Sequence, residues 1–184
     1  MSLQSLYARY ASTLPPGKLE WIGLRPARRE PMQSCNAVQA LAGLGLAGDH
    51  RCQKTPGSAR QVTLISREFI QQIAQHCGYE QIDPARLRRN LVISGINLNA
   101  LRYQRFQLGG AIFEATALCH PCSRMEQALG PGGVAAMLGY GGLCCKVLQT
   151  GQIQLGDELR VLTEDSSQMS LFSPHPDAPN LRNR

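Results

Sequence analysis

Short apolar runs separated by glycine-bearing turns dominate the middle of the chain. Residues 19–24, 61–65, 91–93, 105–108, 111–118, 143–148, 153–155 and 158–162 have the length and the β-branched or alternating character of strands. Gly109-Gly110 predicts a two-residue hairpin between 105–108 and 111–118, and Gly151 predicts another tight turn between 143–148 and 153–155. Helical periodicity is confined to brief segments. Phe69, Ile70, Ile73, Ala74 and Cys77 share one face of a helix that Ser66 can cap and Gly78 stops. Asp83-Pro84 is a cap followed by a first-turn proline and opens a short helix to about Arg89. A third helix over 123–129 follows Cys119-His120-Pro121-Cys122 and is broken by Pro131-Gly132-Gly133.

Near the start, 3–11 reads as a helix ended by Pro15-Pro16-Gly17. Many short strands with few helices, no internal repeat and no strand–helix alternation of the doubly wound kind predict a mainly β fold, a barrel with a few short peripheral helices. The expected organisation is a helical extension over 1–18, a folded unit over 19–162, and a polar, proline-bearing, mobile tail over 163–184.

Composition narrows the class. At 184 residues with 43% hydrophobic content, the chain is long enough for one domain with its own core. No segment approaches the ~20 apolar residues of a membrane span. Residues 1–14 lack the continuous apolar stretch of a secretory signal, so the cytoplasm is the expected location and no membrane partner is expected. Seven cysteines, with Cys144 and Cys145 adjacent, make a poor disulfide framework and point to a reducing compartment. The net charge of +6 comes mainly from arginine, since Lys18, Lys54 and Lys146 are the only lysines. Arginine's planar fork suits phosphate and carboxylate. Clusters lie at Arg25/Arg28/Arg29 and Arg86/Arg88/Arg89, with solvated surface charge as the plain alternative for the first. Aromatic residues make up 5%, and nothing resembles a recognition helix or a stacking motif, so no nucleic-acid polymer is expected as a partner.

Four segments carry candidate chemistry. Cys119-x-x-Cys122 sits where a strand gives way to a helix, an environment that favours thiolate. It can be read as half of a zinc site, as a redox dithiol, as a source of one thiolate for a softer metal centre, or as two ordinary half-buried cysteines. Cys144 and Cys145 are poor co-ligands for zinc, because neighbours on a strand point to opposite faces. Gly48-Asp49 reads as a turn that presents His50 and Arg51. Arg86-Leu87-Arg88-Arg89-Asn90 reads either as a solvated helix end or as an anion clamp, with Asn90 adding an amide that donates and accepts. Gly139-Tyr140-Gly141-Gly142 permits close approach of backbone to a ligand, or forms a plain loop. No serine elbow, metalloprotease helix or paired-acid constellation stands out.

The order of these pieces carries a resemblance. Gly45-Leu46-Ala47-Gly48-Asp49, Arg60-Gln61-Val62-Thr63-Leu64-Ile65, Arg88-Arg89-Asn90-Leu91-Val92-Ile93-Ser94-Gly95-Ile96-Asn97-Leu98, Cys119-x-x-Cys122, Gly141-Gly142 and Gly151-x-Ile153-x-x-Gly156-Asp157 together resemble the MOSC family, the molybdenum cofactor sulfurase C-terminal domain, in its small stand-alone bacterial form. The resemblance implies a β-barrel-like fold and binding of the molybdenum cofactor, a pterin of the molybdopterin type. It implies that Cys122 supplies the thiolate ligand and acts as the catalytic residue, with Arg88 and Asn90 near the cofactor. His50, Arg51 and Cys119 are further candidate contacts. The implied activity is reduction of small N-hydroxylated substrates by oxygen-atom transfer. The chain has no flavin fingerprint and no ferredoxin-type cysteine motif, so a separate reductase protein is expected as electron donor. Pyridoxal phosphate is not expected, because the chain has no room for a desulfurase domain. Two other readings stay open: a non-catalytic carrier of the cofactor or of a persulfide sulfur on Cys122, and a thiol–disulfide oxidoreductase using Cys119 and Cys122. The oligomeric state is left open.

Overall fold

The structure is a computed structural model that describes residues 3–162. The expected tail over 163–184 lies outside the described residues. In chain order the elements are α1 (Leu3–Ala11), β1 (Gly17–Leu24), β2 (Gln33–Cys35), β3 (Ala37–Leu41), β4 (Gly45–Leu46), β5 (Val62–Ser66), α2 (Arg67–Cys77), α3 (Pro84–Leu87), β6 (Leu91–Ser94), β7 (Arg105–Leu108), β8 (Ala111–Leu118), α4 (Ser123–Leu129), α5 (Gly133–Ala136), β9 (Leu143–Gln149), β10 (Gly151–Gln154) and β11 (Glu158–Val161). Single 3-10 turns occupy His50–Gln53 and Leu98–Leu101.

Seven strands close into a barrel in the order β11-β7-β8-β9-β5-β6-β1, with the ring completed by Gly17↔Leu159 and Lys18↔Glu158. One edge of β1 serves two partners. Its first residues pair with β11, and Ile22–Leu24 pair with β2, which extends beyond the ring. The mainly β barrel expected from the sequence is therefore the architecture found. Among the described pairings only β5–β6 is parallel. A parallel pair needs a crossover, and α2 and α3 supply it. This single strand–helix–strand unit is the exception to the absence of alternation read from the sequence.

The local signals of α2 act as their chemistry dictates. Ser66 Oγ accepts from the Phe69 backbone N–H at 3.0 Å, and Gly78 closes the helix with φ +69°. Asp83 caps α3 in the same way through Ala85 N–H at 2.9 Å. The hairpin at Gly109-Gly110 joins β7 to β8 with Leu108↔Ala111 in register.

One reading is corrected. Gly151 does not turn β9 back on itself. It begins β10, which leaves the barrel and pairs with β3 in a second sheet, β10-β3-β4. A Cβ at Gly151 would overlap the carbonyl of Gly110, so glycine serves close backbone approach there. The helix after the cysteine pair does break before Pro131, and Gly133 then begins α5, where a Cβ would crowd the Met125 carbonyl and Leu129. The short strands β2 and β3 escaped the sequence reading because Val38 and Ala40 are the only buried residues in an otherwise polar stretch.

Alternation along the strands divides the apolar residues between two cores. Leu64, Leu91, Ile93, Phe106, Phe113 and Cys145 fill the barrel, where Phe106 and Phe113 stack with centroids 5.5 Å apart. Ile65 and Val92 face outward and pack beneath α2, α3 and α4 through Ile70, Ile73, Leu87, Met125 and Leu129. The helical cover therefore lies over β5 and β6, and it carries the loops that follow β8 and precede β6 to one side of the barrel. At the N-terminus α1 meets the domain through the Tyr7 and Tyr103 rings, 6.3 Å apart. No helix among the described residues is long and apolar enough to cross a membrane.

Candidate functional site

Asp49 is the electrostatic centre of the site. The Gly48-Asp49 turn places its carboxylate at the head of the His50–Gln53 turn, where Oδ1 accepts from Arg51 N–H at 2.9 Å. Arg25 leaves the end of β1 and donates to Oδ2 through its backbone N–H at 3.0 Å and through Nε at 3.1 Å. Asn90, just before β6, donates Nδ2 to the same oxygen at 2.9 Å and accepts Arg25 Nη2 on Oδ1 at 3.0 Å. Thr63 adds its backbone N–H and hydroxyl to Asn90 Oδ1 at 3.1 and 3.0 Å. All three residues are buried: Arg25 is 9% exposed, Asp49 2% and Asn90 1%. Burial pushes the Asp49 carboxyl up, but Arg25 and the backbone donors outweigh it and hold the group below its ordinary range.

Around this pinned ion pair lies a hollow of about 250 Å³ lined by Arg25, Arg28, Arg29, His50, Arg51, Lys54, Arg88 and Arg124. Of the arginines and lysine in this lining only Arg25 forms an ion pair with a carboxylate among the described residues, so most of the charge has no such partner. Burial, then the neighbouring Arg25 and Arg124 charges, lower the pKa of Arg88. Arg29 and Arg88 also hold positive φ values of 75° and 56°. A left-handed backbone costs a non-glycine residue roughly 1 kcal/mol, and such strain gathers at functional sites. Both strained residues point to this wall of the molecule. His50 stays neutral more readily than an ordinary histidine, because burial comes first and the Arg25, Arg51 and Lys54 charges follow, against the pull of Asp49. Its Nδ1 is buried 3.4 Å from Asp49 Oδ1 without the alignment of a hydrogen bond.

A second hollow of about 650 Å³ shares Arg29, Arg88 and Arg124 with the first and adds Ser123, Gln127 and Ala128. Cys122 is exposed and occupies the N-cap position of α4, directly before Ser123 and Arg124. Cys119 takes the opposite course. It is buried, its N–H donates to Gly142 O at 2.8 Å, and its thiol is hydrogen-bonded by Cys144. That bond, followed by the nearby Arg89, Arg60 and Arg25 charges, lowers the pKa of the Cys119 thiol against the effect of burial. The Cys144 thiol is pushed up, first by the same bond and then by burial. Cys145, one residue on, faces into the barrel. The two sulfurs of Cys119-x-x-Cys122 therefore have different surroundings.

The arginine run before β6 separates into distinct tasks. Arg86 lies over the Tyr79 ring at 5.3 Å and donates to Ala128 O. Arg88 lines both hollows while its Nη1 donates to Glu30 O at 2.9 Å. Buried Arg89 ties three backbone carbonyls together: Gly141 at 2.7 Å, Leu87 at 3.0 Å and Cys119 at 3.2 Å. Asn90 directs both ends of its amide inward. Of the residues singled out in the sequence, His50, Arg51 and Arg88 line the smaller hollow, Cys122 adjoins the larger, and Asn90 and Cys119 support from behind. Arg25, Asp49, Lys54 and Arg124 were not singled out as site residues. The one signal for them was Asp49 in a glycine-led turn, with an arginine cluster upstream.

The donor set fits an anionic cofactor that brings its own metal ligands. The hollows offer guanidinium and ammonium groups to a phosphate, and Cys122 offers one exposed thiol a residue before Ser123 in the wall of the larger hollow. Among the described residues no three His, Cys, Asp or Glu side chains gather closely enough to hold a metal by themselves. The fold defines the class first: a small closed β-barrel with short helices packed on one side. The chain belongs to the MOSC domain family, which matches residues 49–160 and is associated with binding of the molybdenum cofactor.

Solved structures share the fold. YuaD from Bacillus subtilis is 22% identical, with a TM-score of 0.69 over 80% of this chain and 96% of that one. YiiM from Geobacillus stearothermophilus is 16% identical, with a TM-score of 0.65 over 80% and 75%. YiiM from Escherichia coli is 16% identical, with a TM-score of 0.61 over 87% and 80%. No curated protein matches the chain.

Proposed function

We propose that this protein binds the molybdenum cofactor and reduces N-hydroxylated compounds. The observation that carries the reading is the exposed Cys122, set directly before Ser123 and Arg124 in the wall of a cationic hollow. In this reading Cys122 supplies one thiolate to the metal, and the guanidiniums around Arg88 hold the phosphate of the pterin. Asp49 and Asn90 keep Arg25 fixed, so its orientation is prepared before any ligand arrives. Removing oxygen from an N–O bond as water consumes two protons and two electrons. His50, neutral at pH 7 and set in the wall of the smaller hollow, is placed to pass a proton through its ring nitrogens. What the bound cofactor supplies is the two-electron redox chemistry that no side chain here performs. A separate reductase protein delivers the electrons.

The test begins with protein made in a host that synthesises the cofactor. Metal analysis is expected to find about one molybdenum per chain, lost in Cys122→Ser and retained in Cys119→Ser. Turnover of an N-hydroxylated purine base with an artificial reductant is then expected from the loaded protein alone. Metal without turnover would support the second reading, a carrier of cofactor or persulfide sulfur, which the exposure of Cys122 also favours. A protein without molybdenum would overturn the proposal. The thiol–disulfide reading finds less support, because the Cys119 sulfur is buried against Cys144.

A further inference from the structure

The positive charge around the two hollows exceeds what one cofactor phosphate neutralises. Arg28, Arg29, Arg51, Lys54, Arg88 and Arg124 all line the smaller hollow. Among the described residues none of them forms an ion pair with a carboxylate. A phosphomonoester carries about two negative charges at neutral pH, so a single one leaves most of these cations unmatched. The hollows of about 250 and 650 Å³ meet at Arg29, Arg88 and Arg124.

The lining of the larger hollow indicates what it recognises. Besides the three arginines it contains a hydroxyl, a carboxamide and one methyl group, from Ser123, Gln127 and Ala128. It has no aromatic ring on which an uncharged base would stack. An oxyanion would find forked guanidinium donors, and the Ser123 and Gln127 side chains add neutral ones. Two of the shared arginines, Arg29 and Arg88, are among the three non-glycine residues at positive φ in the described chain, the third being Tyr103.

We propose that the larger hollow is a second anion subsite that receives a phosphomonoester carried by the substrate itself. The inference rests on the reductase reading above and deepens it: the N-hydroxylated compound is a nucleotide rather than a free base or nucleoside. The Ser123 and Gln127 side of α4 holds the substrate phosphate, and this brings the base toward Cys122 at the start of the same helix.

Holoprotein with measured molybdenum content is titrated by calorimetry with N-hydroxylated adenosine monophosphate and, separately, with the N-hydroxylated nucleoside. The nucleotide is expected to bind at least about tenfold more tightly, with an affinity that falls as salt rises. Gln127→Glu places a like charge in the larger hollow alone. It is expected to weaken the nucleotide about tenfold and to leave nucleoside affinity and molybdenum content unchanged. Equal affinity for the two ligands, or a Gln127→Glu variant that binds the nucleotide normally, would overturn the subsite. So would a cofactor released from the holoprotein with a nucleotide of its own, because that group would then be the occupant. If the protein holds no molybdenum, the reductase reading fails separately. The same titrations of the metal-free protein and of Gln127→Glu then decide the subsite.

Discussion

Asn90 donates its Nδ2 to Asp49 Oδ2 at 2.9 Å, in a place where neither side chain meets solvent. The bond joins the strand entering the barrel at β6 to the turn that carries His50 and Arg51, and Arg25 closes the triangle. Removing the amide strands several partners at once. Asn90→Ala removes the amide donor from Gly23 O and Asp49 Oδ2 and the amide acceptor from the Thr63 donors, leaves Arg25 Nη2 with Asp49 Oδ1 alone, and is expected to cost about 2–4 kcal/mol. Urea unfolding measures it. A loss below about 0.5 kcal/mol would mean that the network is not the support described here.

The same carboxylate sets an acid limit. Its folded pKa lies below the ordinary value, so its contribution is complete above the unfolded pKa of about 4 and is lost as pH falls through the folded one. Asp49→Asn is expected to be less stable at neutral pH. It should also show a flatter decline of stability below about pH 4 than the parent protein. Parallel declines in the two proteins would assign acid sensitivity to other groups.

Cys119 should titrate as an unusually acidic thiol. The bond from Cys144, and then the Arg89, Arg60 and Arg25 charges, lower its pKa below that of an ordinary thiol. In metal-free protein the ultraviolet absorbance of thiolate should therefore show a component that rises below the ordinary thiol pKa of about 8.5. Cys119→Ser should abolish the component, and Cys144→Ala should move it upward, because the leading cause is removed. A titration in which Cys119→Ser matches the parent across this range would show that the thiol is unperturbed.

Gly142 is expected to tolerate no side chain. Its φ is +85°, and a Cβ would overlap the Leu64 carbonyl within the barrel wall. Gly43 has a similar φ of +75° but open space around it. Gly43→Ala should cost roughly 1 kcal/mol of backbone strain, whereas Gly142→Ala should cost more than about 2 kcal/mol. The Cys119 N–H bond to Gly142 O should be disturbed with it. Thermal unfolding of the pair separates strain from collision, and equal losses would remove the packing argument.

The arginine run over 86–90 illustrates the reach of sequence reasoning. It reads as one clamp, yet Arg86, Arg88, Arg89 and Asn90 go to a tyrosine ring, a hollow, three carbonyls and a buried carboxylate. The left-handed turn at Arg88 breaks the helical spacing, so neighbours in the chain diverge in space. Arg25 was equally ambiguous. Nothing local distinguishes it from solvated surface charge, and only the contact with Asp49, 24 residues away, does so.

By itself the sequence determined the short-range features: the Ser66, Asp83 and Gly78 caps, the Gly109-Gly110 hairpin, the two-sided strands and the placing of Cys122 ahead of a helix. Each depends on a few adjacent dihedrals and donors, which residue type controls directly. Closure of β1 on β11, the departure of β10 to β3, and the meeting of Arg25, Arg51, Arg88 and Arg124 around one hollow were decided by tertiary structure. Those arrangements come from burial and strand pairing between distant segments, where many partners have similar local chemistry and only the complete packing selects among them.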